Sequence, residues 1–342
     1  MKPIRSLSLC IVFVFLASSL TPAFAQDDLV ADAKPKEIKK KDGWDFLLTP
    51  ALSLSFSDNR GVVGQPDGSS VVLGLNLAAG VDFKHQKHQW RALLNITEAF
   101  SQTPIIDDFI KSTDIFKFET MYLYSILDWL GPYARFSLQT NMLESFNVNG
   151  DPVTWSINRG GDVETRSGFK LRLTDGFSPA TLRESVGMFA SPYETKPLAV
   201  EIRLGFGGLH VLADGALAVQ DDGATPELDV IELNSFNQAG GELALVASGS
   251  MYEKRIAYKA EASFMMPFIH DALAEGDDRG LLELTNIELS ATISFKLLEW
   301  MSLDYVLRAI RTPQLIDDFQ VQNNLLLTMS YSFFKPEKEE KK

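Results

Sequence analysis

Apolar and polar side chains alternate along most of this chain beyond residue 43, and the pattern is clearest in the last segment, residues 323–334. Every second position from Leu325 to Phe333 is apolar and the series ends in aromatic rings, whereas the positions between them are mostly small and polar. A period of two predicts a β-strand. An apolar face opposite a small polar face is typical of a strand with lipid on one side and a wetter interior on the other. We therefore interpret this segment as one strand of a transmembrane β-barrel.

Similar segments of about ten residues recur between turn residues, which is the signature of a complete transmembrane barrel. The predicted fold class is all-β, a single antiparallel transmembrane β-barrel of about fourteen strands, with twelve or sixteen as alternatives. The pair 180–190 and 209–219 fits least well, because Glu184 falls on the apolar face and Gly207-Gly208 leaves a very tight turn. The predicted strands are 44–56, 71–83, 89–100, 116–127, 133–145, 168–174, 180–190, 198–206, 209–219, 242–251, 256–266, 284–297, 301–310 and 322–334.

Connections between the predicted strands alternate in length. The short ones are residues 84–88, 128–132, 175–179, 207–208, 252–255 and 298–300. The longer ones are residues 57–70, 101–115, 146–167, 191–197, 220–241, 267–283 and 311–321. Because barrels place short turns in the periplasm and long loops outside, both chain termini are expected in the periplasm.

Aromatic residues give an independent indication of this topology. Trp44, Trp90, Trp129 and Trp300 fall at the short-turn ends of predicted strands, and Trp155 lies in a long loop. Tryptophan rings favour a membrane interface. The rings expected at the opposite rim are Phe56, Phe100, Phe116 and Phe264. A secreted soluble β-sandwich, the alternative fold, would not need aromatic side chains at both ends of its strands.

Residues 1–25 combine a basic start, an apolar run and the small-x-small site Ala23-Phe24-Ala25. They predict a cleavable secretory signal peptide. The alternative, a membrane anchor, is disfavoured because the apolar run is shorter than the ~20 residues of a spanning helix. Residues 26–43 are polar and are predicted to be a disordered periplasmic leader, followed by the barrel at 44–334 and a charged tail at 335–342. This organisation predicts the outer membrane of a Gram-negative bacterium.

Composition narrows the possible partners and chemistry. The chain carries 45 acidic and 32 basic residues, and loss of Lys2 and Arg5 with the signal peptide leaves 30 basic residues and a charge of −15. No nucleic acid is expected as a partner. The single cysteine, Cys10, lies inside the predicted signal peptide, so neither a disulfide nor a cysteine-ligated metal is expected in the mature chain.

Catalytic and metal-binding patterns are weak. The four histidines, His85, His88, His210 and His270, lie beside no G-x-S-x-G motif, and no cysteine or close carboxylate completes a metal site around His85 and His88. We predict no enzyme activity, no cofactor and no metal centre. Four acidic pairs fall in the long loops: Asp107-Asp108, Asp221-Asp222, Asp277-Asp278 and Asp317-Asp318. They could bind Ca²⁺ or share divalent ions with lipopolysaccharide, but a solvated anionic rim is favoured.

Charged residues of both signs fall almost entirely on the polar faces of the predicted strands. So many charges would be prohibitive in a soluble core, but in a lumen they can pair with one another or with water. The predicted lumen-lining residues are Arg91, Glu119, Arg135, Glu201, Arg203, Lys259, Glu261, Glu288, Lys296, Asp304 and Arg308, with Asp82, Lys170, Arg172 and Arg183 on the same faces. Structural salt bridging and solute selection are both open as their role.

Several local patterns resemble one known family. An early Trp-containing hairpin is followed by the turn Leu130-Gly131-Pro132-Tyr133, the segment 174–179 and the late turn 297–303. This order is similar to that of uncharacterised bacterial outer-membrane barrels known only as a domain of unknown function, and it spans most of 44–334. The charged tail after the last aromatic residue departs from the pattern of that family. The resemblance implies an outer-membrane barrel, and it implies neither a substrate nor catalytic residues.

Two functions from different classes follow. The first is a passive small-solute channel or transport barrel, and the alternative is a closed structural or surface-binding barrel that contacts lipopolysaccharide or a partner; an outer-membrane enzyme is a distant third. About eight strands give a filled interior and roughly 16 to 18 leave an aqueous channel, so fourteen lies between. Paired charges are expected to narrow the passage without sealing it. Expected partners are outer-membrane lipid, lipopolysaccharide and the barrel-assembly machinery.

Overall fold

The computed structural model describes residues 42–59, 68–104, 106–220, 225–252, 254–273 and 278–333. In these ranges twelve antiparallel strands close into a barrel, and four more form a separate sheet. The predicted signal peptide, nearly all of the predicted leader and the charged tail lie outside the described residues. No helix in the described part of the chain is long and apolar enough to cross a membrane.

Around the barrel the strand order is β1-β16-β15-β14-β13-β12-β9-β8-β5-β4-β3-β2, closing on β1. The strands are β1 Gly43–Asn59, β2 Gly68–His85, β3 His88–Thr103, β4 Ile106–Tyr124, β5 Leu130–Thr140, β6 Ser145–Arg159, β7 Asp162–Thr174, β8 Ala180–Glu194, β9 Ala199–Leu212, β10 Leu217–Val219, β11 Leu228–Glu232, β12 Phe236–Met251, β13 Ile256–His270, β14 Asn286–Leu298, β15 Met301–Thr312 and β16 Ile316–Ser330.

One end of the barrel carries only tight connections in the described chain, and we call it the short-turn end. Its turns are residues 86–87, 125–129, 195–198, 252–255 and 299–300. Gln86, with a φ of 52°, takes the left-handed conformation that such a turn needs. Gly131 is required where β5 leaves its turn, because a Cβ there would collide with the carbonyl oxygen of Tyr124. The opposite end, which we call the sheet end, carries the four-stranded sheet.

Twelve barrel strands, rather than fourteen, correspond to the lower end of the predicted range. One reason is that β9 runs straight through Gly207 and Gly208, where a turn was predicted. A Cβ at Gly207 would meet the Glu242 carboxylate, and one at Gly208 would meet the carboxylate of Glu184. The two glycines therefore make room for neighbouring side chains instead of reversing the chain.

The second correction concerns the segment 168–174, which was predicted as a barrel strand and forms part of β7 outside the barrel. Most of the predicted loop 146–167 belongs to the hairpin β6–β7, which turns at Gly160-Gly161 with φ values of 61° and 104°. This excursion starts and ends at the sheet end of the barrel. The connection 175–179 therefore lies at the sheet end and residues 195–198 at the short-turn end, the reverse of their predicted sides.

The separate sheet, which we call the outer sheet, has the order β10-β11-β6-β7. Neighbouring residues of a strand point to opposite faces, and β10 shows the consequence. Its Leu217 packs in a cluster that we call the sheet core, formed by Trp155, Ile157, Leu171, Leu173, Leu217 and Val230. Its Ala218 packs in the mouth cluster, formed by Leu209, Val211, Ala213, Ala216, Ala218, Leu233, Phe236 and Met265. Strand β10 thus lies between a small core of its own sheet and the barrel rim.

Candidate functional site

The candidate functional site is the barrel interior, where ion pairs join strands that are not neighbours. Arg91 on β3 lies 3.9 Å from Glu201 on β9, although β4, β5 and β8 separate these strands around the wall. Arg203 continues the chain of charges, with its guanidinium 3.5 Å from Glu201 and 2.9 Å from Glu261 on β13. Side chains of opposite charge therefore meet across the lumen instead of only along its wall.

A second group of ion pairs crosses the lumen nearer to the sheet end. Glu288 on β14 binds Arg308 of the adjacent β15 at 2.8 Å and Arg183 on β8 at 3.1 Å. Arg308 also donates to the Gln139 side chain at 3.4 Å, and β5, which carries Gln139, lies six positions from β15 in either direction around the twelve-stranded wall. These contacts span the full width of the barrel.

The third group is centred on Arg135. Its guanidinium donates to Glu119 of the adjacent strand at 2.8 Å and lies 3.9 Å from Glu242 on β12. Glu242 was absent from the predicted lumen set, and so was Gln139. Gln139 follows the alternation of Arg135 on β5, and Glu242 alternates with the outward Leu243 and Leu245 on β12, so the period of two could have identified both.

The remaining predicted positions have different surroundings. Lys259 lies 3.7 Å from Glu261, and the fully buried Asp304 accepts hydrogen bonds from the hydroxyls of Ser294 and Ser302. Lys296 is exposed near the short-turn end. Two further residues that were expected inside lie in β7 of the outer sheet: Lys170 stands over the Phe146 ring at 3.7 Å, and Arg172 pairs with Asp175 at 2.8 Å.

We call these three groups of ion pairs the ionic layer, and apolar side chains lie on both sides of it. At the short-turn side, Met121, Leu123, Tyr133 and Phe189 form a buried group that we call the base cluster. On the sheet side the mouth cluster packs against Leu315 and Ile316 at the start of β16. A cavity of about 90 Å³ lies between the ionic layer and the mouth cluster, since Arg135, Arg183 and Arg308 line it together with Leu209 and Val211. That volume has room for only a few water molecules.

The outer sheet is tied to the barrel where the chain leaves the wall and where it returns. The Asp114 carboxylate on β4 accepts the backbone N–H groups of Met142 and Leu143, both at 2.7 Å. At the second crossing, Ser235 donates its backbone N–H to Asp214 at 2.9 Å, and its hydroxyl accepts the Ala213 N–H. The hydroxyl and N–H of Ser235 hold the pKa of Asp214 below its ordinary value.

The outward face of the barrel is an exposed apolar belt. Its members alternate with the buried interior residues and include Leu52, Leu54, Leu73, Leu75, Val186, Met188, Leu204, Phe206, Leu245, Leu289, Ile293, Phe295, Leu325 and Leu327. Trp44, Trp90, Trp129 and Trp300 are exposed at the short-turn end, as predicted, whereas Trp155 is buried in the sheet core. The Phe100 ring is exposed at the other rim, and the Phe56 side chain lies outside the described residues.

The histidines and Asp317 of the acidic pairs have hydrogen-bonded or ionic partners. His210 lies on the outward face between Glu184 and Asn237, with both heavy-atom distances 2.7 Å, which accounts for Glu184 on an otherwise apolar face. Asp317 pairs with Arg311 at 2.6 Å. Asp221-Asp222 and Asp277 lie outside the described residues, as do the side chains of Asp107 and Asp108. Within the described chain, no group of three His, Cys, Asp or Glu residues could hold a metal ion.

No family model and no curated protein matches the chain. Several solved barrels are similar in structure. The translocator domain of the autotransporter NalP from Neisseria meningitidis is 11% identical, with 89% of this chain and 92% of that chain covered and a TM-score of 0.39. A deletion mutant of the TodX monoaromatic hydrocarbon channel is 10% identical, with 86% and 91% covered and a TM-score of 0.36. An outer-membrane channel from Pseudomonas putida F1 is 8% identical, with 87% and 98% covered and a TM-score of 0.36.

The solved barrels include channels and an autotransporter translocator domain, which differ in function. The likeness is one of fold alone.

Proposed function

We propose that this protein is an outer-membrane β-barrel that is closed at rest and that holds a folded β-sheet at the cell surface. The observation that carries the proposal is the ionic layer that spans the lumen. Arg91–Glu201, Arg135–Glu242 and Arg183–Glu288 each join strands that are separated by at least two others around the wall. Ion pairs of this kind occupy the cross-section that a solute would have to pass.

The membrane location is supported by the exposed apolar belt and by the tryptophans at one rim. A closed barrel leaves no strand edge unpaired in lipid, which is the condition that a membrane imposes on β-structure. Short turns at one end and a large excursion at the other follow the usual orientation, with the short-turn end in the periplasm and the outer sheet outside.

Closure is further supported by the apolar groups on both sides of the ionic layer. The base cluster and the mouth cluster are buried, and the cavity between the ionic layer and the mouth cluster measures about 90 Å³. Twelve strands lie between the number that side chains can fill, about eight, and the roughly sixteen of an open porin. Here long arginine and glutamate side chains fill the additional width.

Single-channel recording in a planar bilayer tests this proposal. We expect the purified wild-type protein to show no discrete conductance steps, because the ionic layer and both clusters occupy the lumen. The double variant Glu201→Ala with Arg203→Ala removes two large side chains from that layer and should show small steps. Glu144→Ala with Arg172→Ala is the matched control, since it removes the same two residue types from an exposed pair beside the outer sheet, and it should stay silent.

A passive or gated small-solute channel is the second candidate, and one observation favours it. The middle of the lumen is closed by charges rather than by apolar packing, and ion pairs can exchange partners without loss of the surrounding wall. Discrete steps in the wild-type recording would overturn the closed barrel and support the channel. If neither the wild type nor the lumen variant conducts, the barrel is closed and the apolar clusters are what close it.

A further inference from the structure

Strand β7 leaves a long backbone edge open at the side of the outer sheet. It is the last strand in the order β10-β11-β6-β7, and no described strand pairs with its other side. Residues 162–167, its first six, are all exposed. An open strand edge is a template on which another strand can add through main-chain hydrogen bonds.

The hairpin geometry shows which backbone groups of β7 are available. The closing pair of the two-residue hairpin is Arg159 with Asp162. In such a hairpin the two residues of the closing pair hydrogen-bond to each other through their backbone groups. The backbone groups of successive residues then point alternately toward the partner strand and away from it. The N–H and C=O groups of Val163, Thr165 and Ser167 therefore point away from β6 and toward the open edge.

The side chains on this edge are self-complementary. We propose that β7 pairs antiparallel with β7 of a second copy of this chain, around a two-fold axis at Thr165. In that register Glu164 lies opposite Arg166 of the second copy, and Arg166 lies opposite its Glu164. Thr165 faces itself, and Val163 faces Ser167. Opposite charges and threonine pairs are favourable cross-strand partners, and a two-fold interface is the commonest form of protein self-association.

Charge selects this register over its neighbours. In an antiparallel pair, two residues that face each other both point their backbone N–H and C=O groups toward the partner strand or both point them away. A two-fold axis must therefore pass between one residue and its own copy, and not between two neighbouring pairs. An axis at Glu164 would place that carboxylate against itself, and an axis at Arg166 would do the same with a guanidinium. Within one chain Glu164 and Arg166 already lie on one face, 2.7 Å apart. The hydrogen bond from Arg166 holds the pKa of Glu164 below its ordinary value, so the carboxylate is charged at neutral pH.

The proposed dimer deepens the proposed function, since it names a second copy of the chain as the partner of the outer sheet. The dimer rests on the proposed function in one respect: the outer sheet must lie outside the membrane. Lumen closure is read from conductance and dimerisation from cross-linking, so the failure of one proposal is distinguishable from the failure of the other.

Disulfide cross-linking of the detergent-purified mature chain tests the register. Directly opposed residues on antiparallel strands have Cα atoms about 5.5 Å apart, which suits a disulfide. Thr165→Cys should therefore form a covalent dimer under mild oxidation, and it would be free of competing thiols because Cys10 lies in the predicted signal peptide. Val163→Cys and Ser167→Cys are matched controls: each alone should stay uncross-linked, and the two mixed should form a heterodimer.

Charge exchange tests the pairing without a covalent bond. Glu164→Arg and Arg166→Glu each convert two attractive pairs into two repulsive ones, and we expect roughly ten- to thirty-fold weaker dimerisation in sedimentation. The double exchange should restore the homodimer, and a mixture of the two single variants should form a heterodimer. A monomeric wild type, equal cross-linking at all three cysteine positions, or indifference to charge reversal would each overturn the proposal.

Discussion

In the middle of the barrel, strands that are far apart around the wall are joined by ion pairs such as Arg91–Glu201, whereas at the sheet end the lumen is filled by apolar side chains. There Leu209 on β9 packs with Phe236 on β12 and Met265 on β13. Both regions fill the same lumen, and they lie next to each other along its axis. Their chemistry differs because the mouth cluster also packs against two strands of the outer sheet, through Ala218 of β10 and Ile231 of β11.

This difference indicates separate roles. A buried ion pair gains little net stability over an apolar packing of the same volume, but loss of one partner is costly because the other charge stays buried. Apolar burial, in contrast, stabilises in proportion to the area removed from water. The ionic layer therefore fixes which side chains meet across the lumen, and the mouth cluster supplies the stability that holds the outer sheet on the barrel.

The largest expected effect is in the ionic layer. Arg203→Met should lower the free energy of unfolding by about 3–5 kcal/mol, because it leaves Glu201 and Glu261 with one buried cation fewer. Urea unfolding of the protein in lipid vesicles measures this change. Arg172→Met, which removes an exposed guanidinium from the outer sheet, is the matched control and should change stability by less than about 0.5 kcal/mol. Equal costs for the two variants would contradict the role given to the ionic layer.

A smaller effect is expected in the mouth cluster. Val211→Ala removes two buried methyl groups and should cost about 2 kcal/mol from lost burial and the cavity that remains. Val211 is 2% exposed and its neighbour Leu212 is 55% exposed, so Leu212→Ala changes the opposite face of the same strand. Limited proteolysis within residues 213–235 should become faster only in the Val211 variant. Faster cleavage in the Leu212 variant as well would mean that the mouth cluster does not hold the outer sheet.

The alternation of side chains predicted the barrel and its charged interior because one physical rule applies to every wall strand. Arg203 and Glu261 stand on polar faces in the sequence, and they meet in the structure. The alternation cannot predict which inward-facing residues meet across the lumen, because that depends on the order of the strands around the closed wall. Arg308 and Gln139 are 169 positions apart in the chain and lie on opposite sides of the barrel.

The outer sheet was missed for a different reason. Segments 146–167 and 220–241 contain glycine, proline and acidic residues, and these favour loops between barrel strands. Their buried residues are few, and Trp155 and Val230 come together only when β11 pairs in parallel with β6. A parallel pairing between two distant excursions leaves no local periodicity in either of them. The tryptophan inside a predicted loop was the one sign that this region has a core.

The smallest expected effect lies in the sheet core and sharpens the comparison between the outer sheet and the barrel. The Trp155 indole N–H donates to the side chain of Asn147 at 3.0 Å, and Asn149 donates to the same oxygen at 2.7 Å. Asn147→Ala leaves the buried indole N–H without this acceptor and should cost about 1 kcal/mol. Amide hydrogen exchange should then be roughly five-fold faster in β6 and β7 and unchanged in the barrel strands. Asn149→Ala keeps the Trp155 hydrogen bond and is the control; if it accelerates exchange equally, or if the barrel amides respond too, the sheet core is not an independent unit.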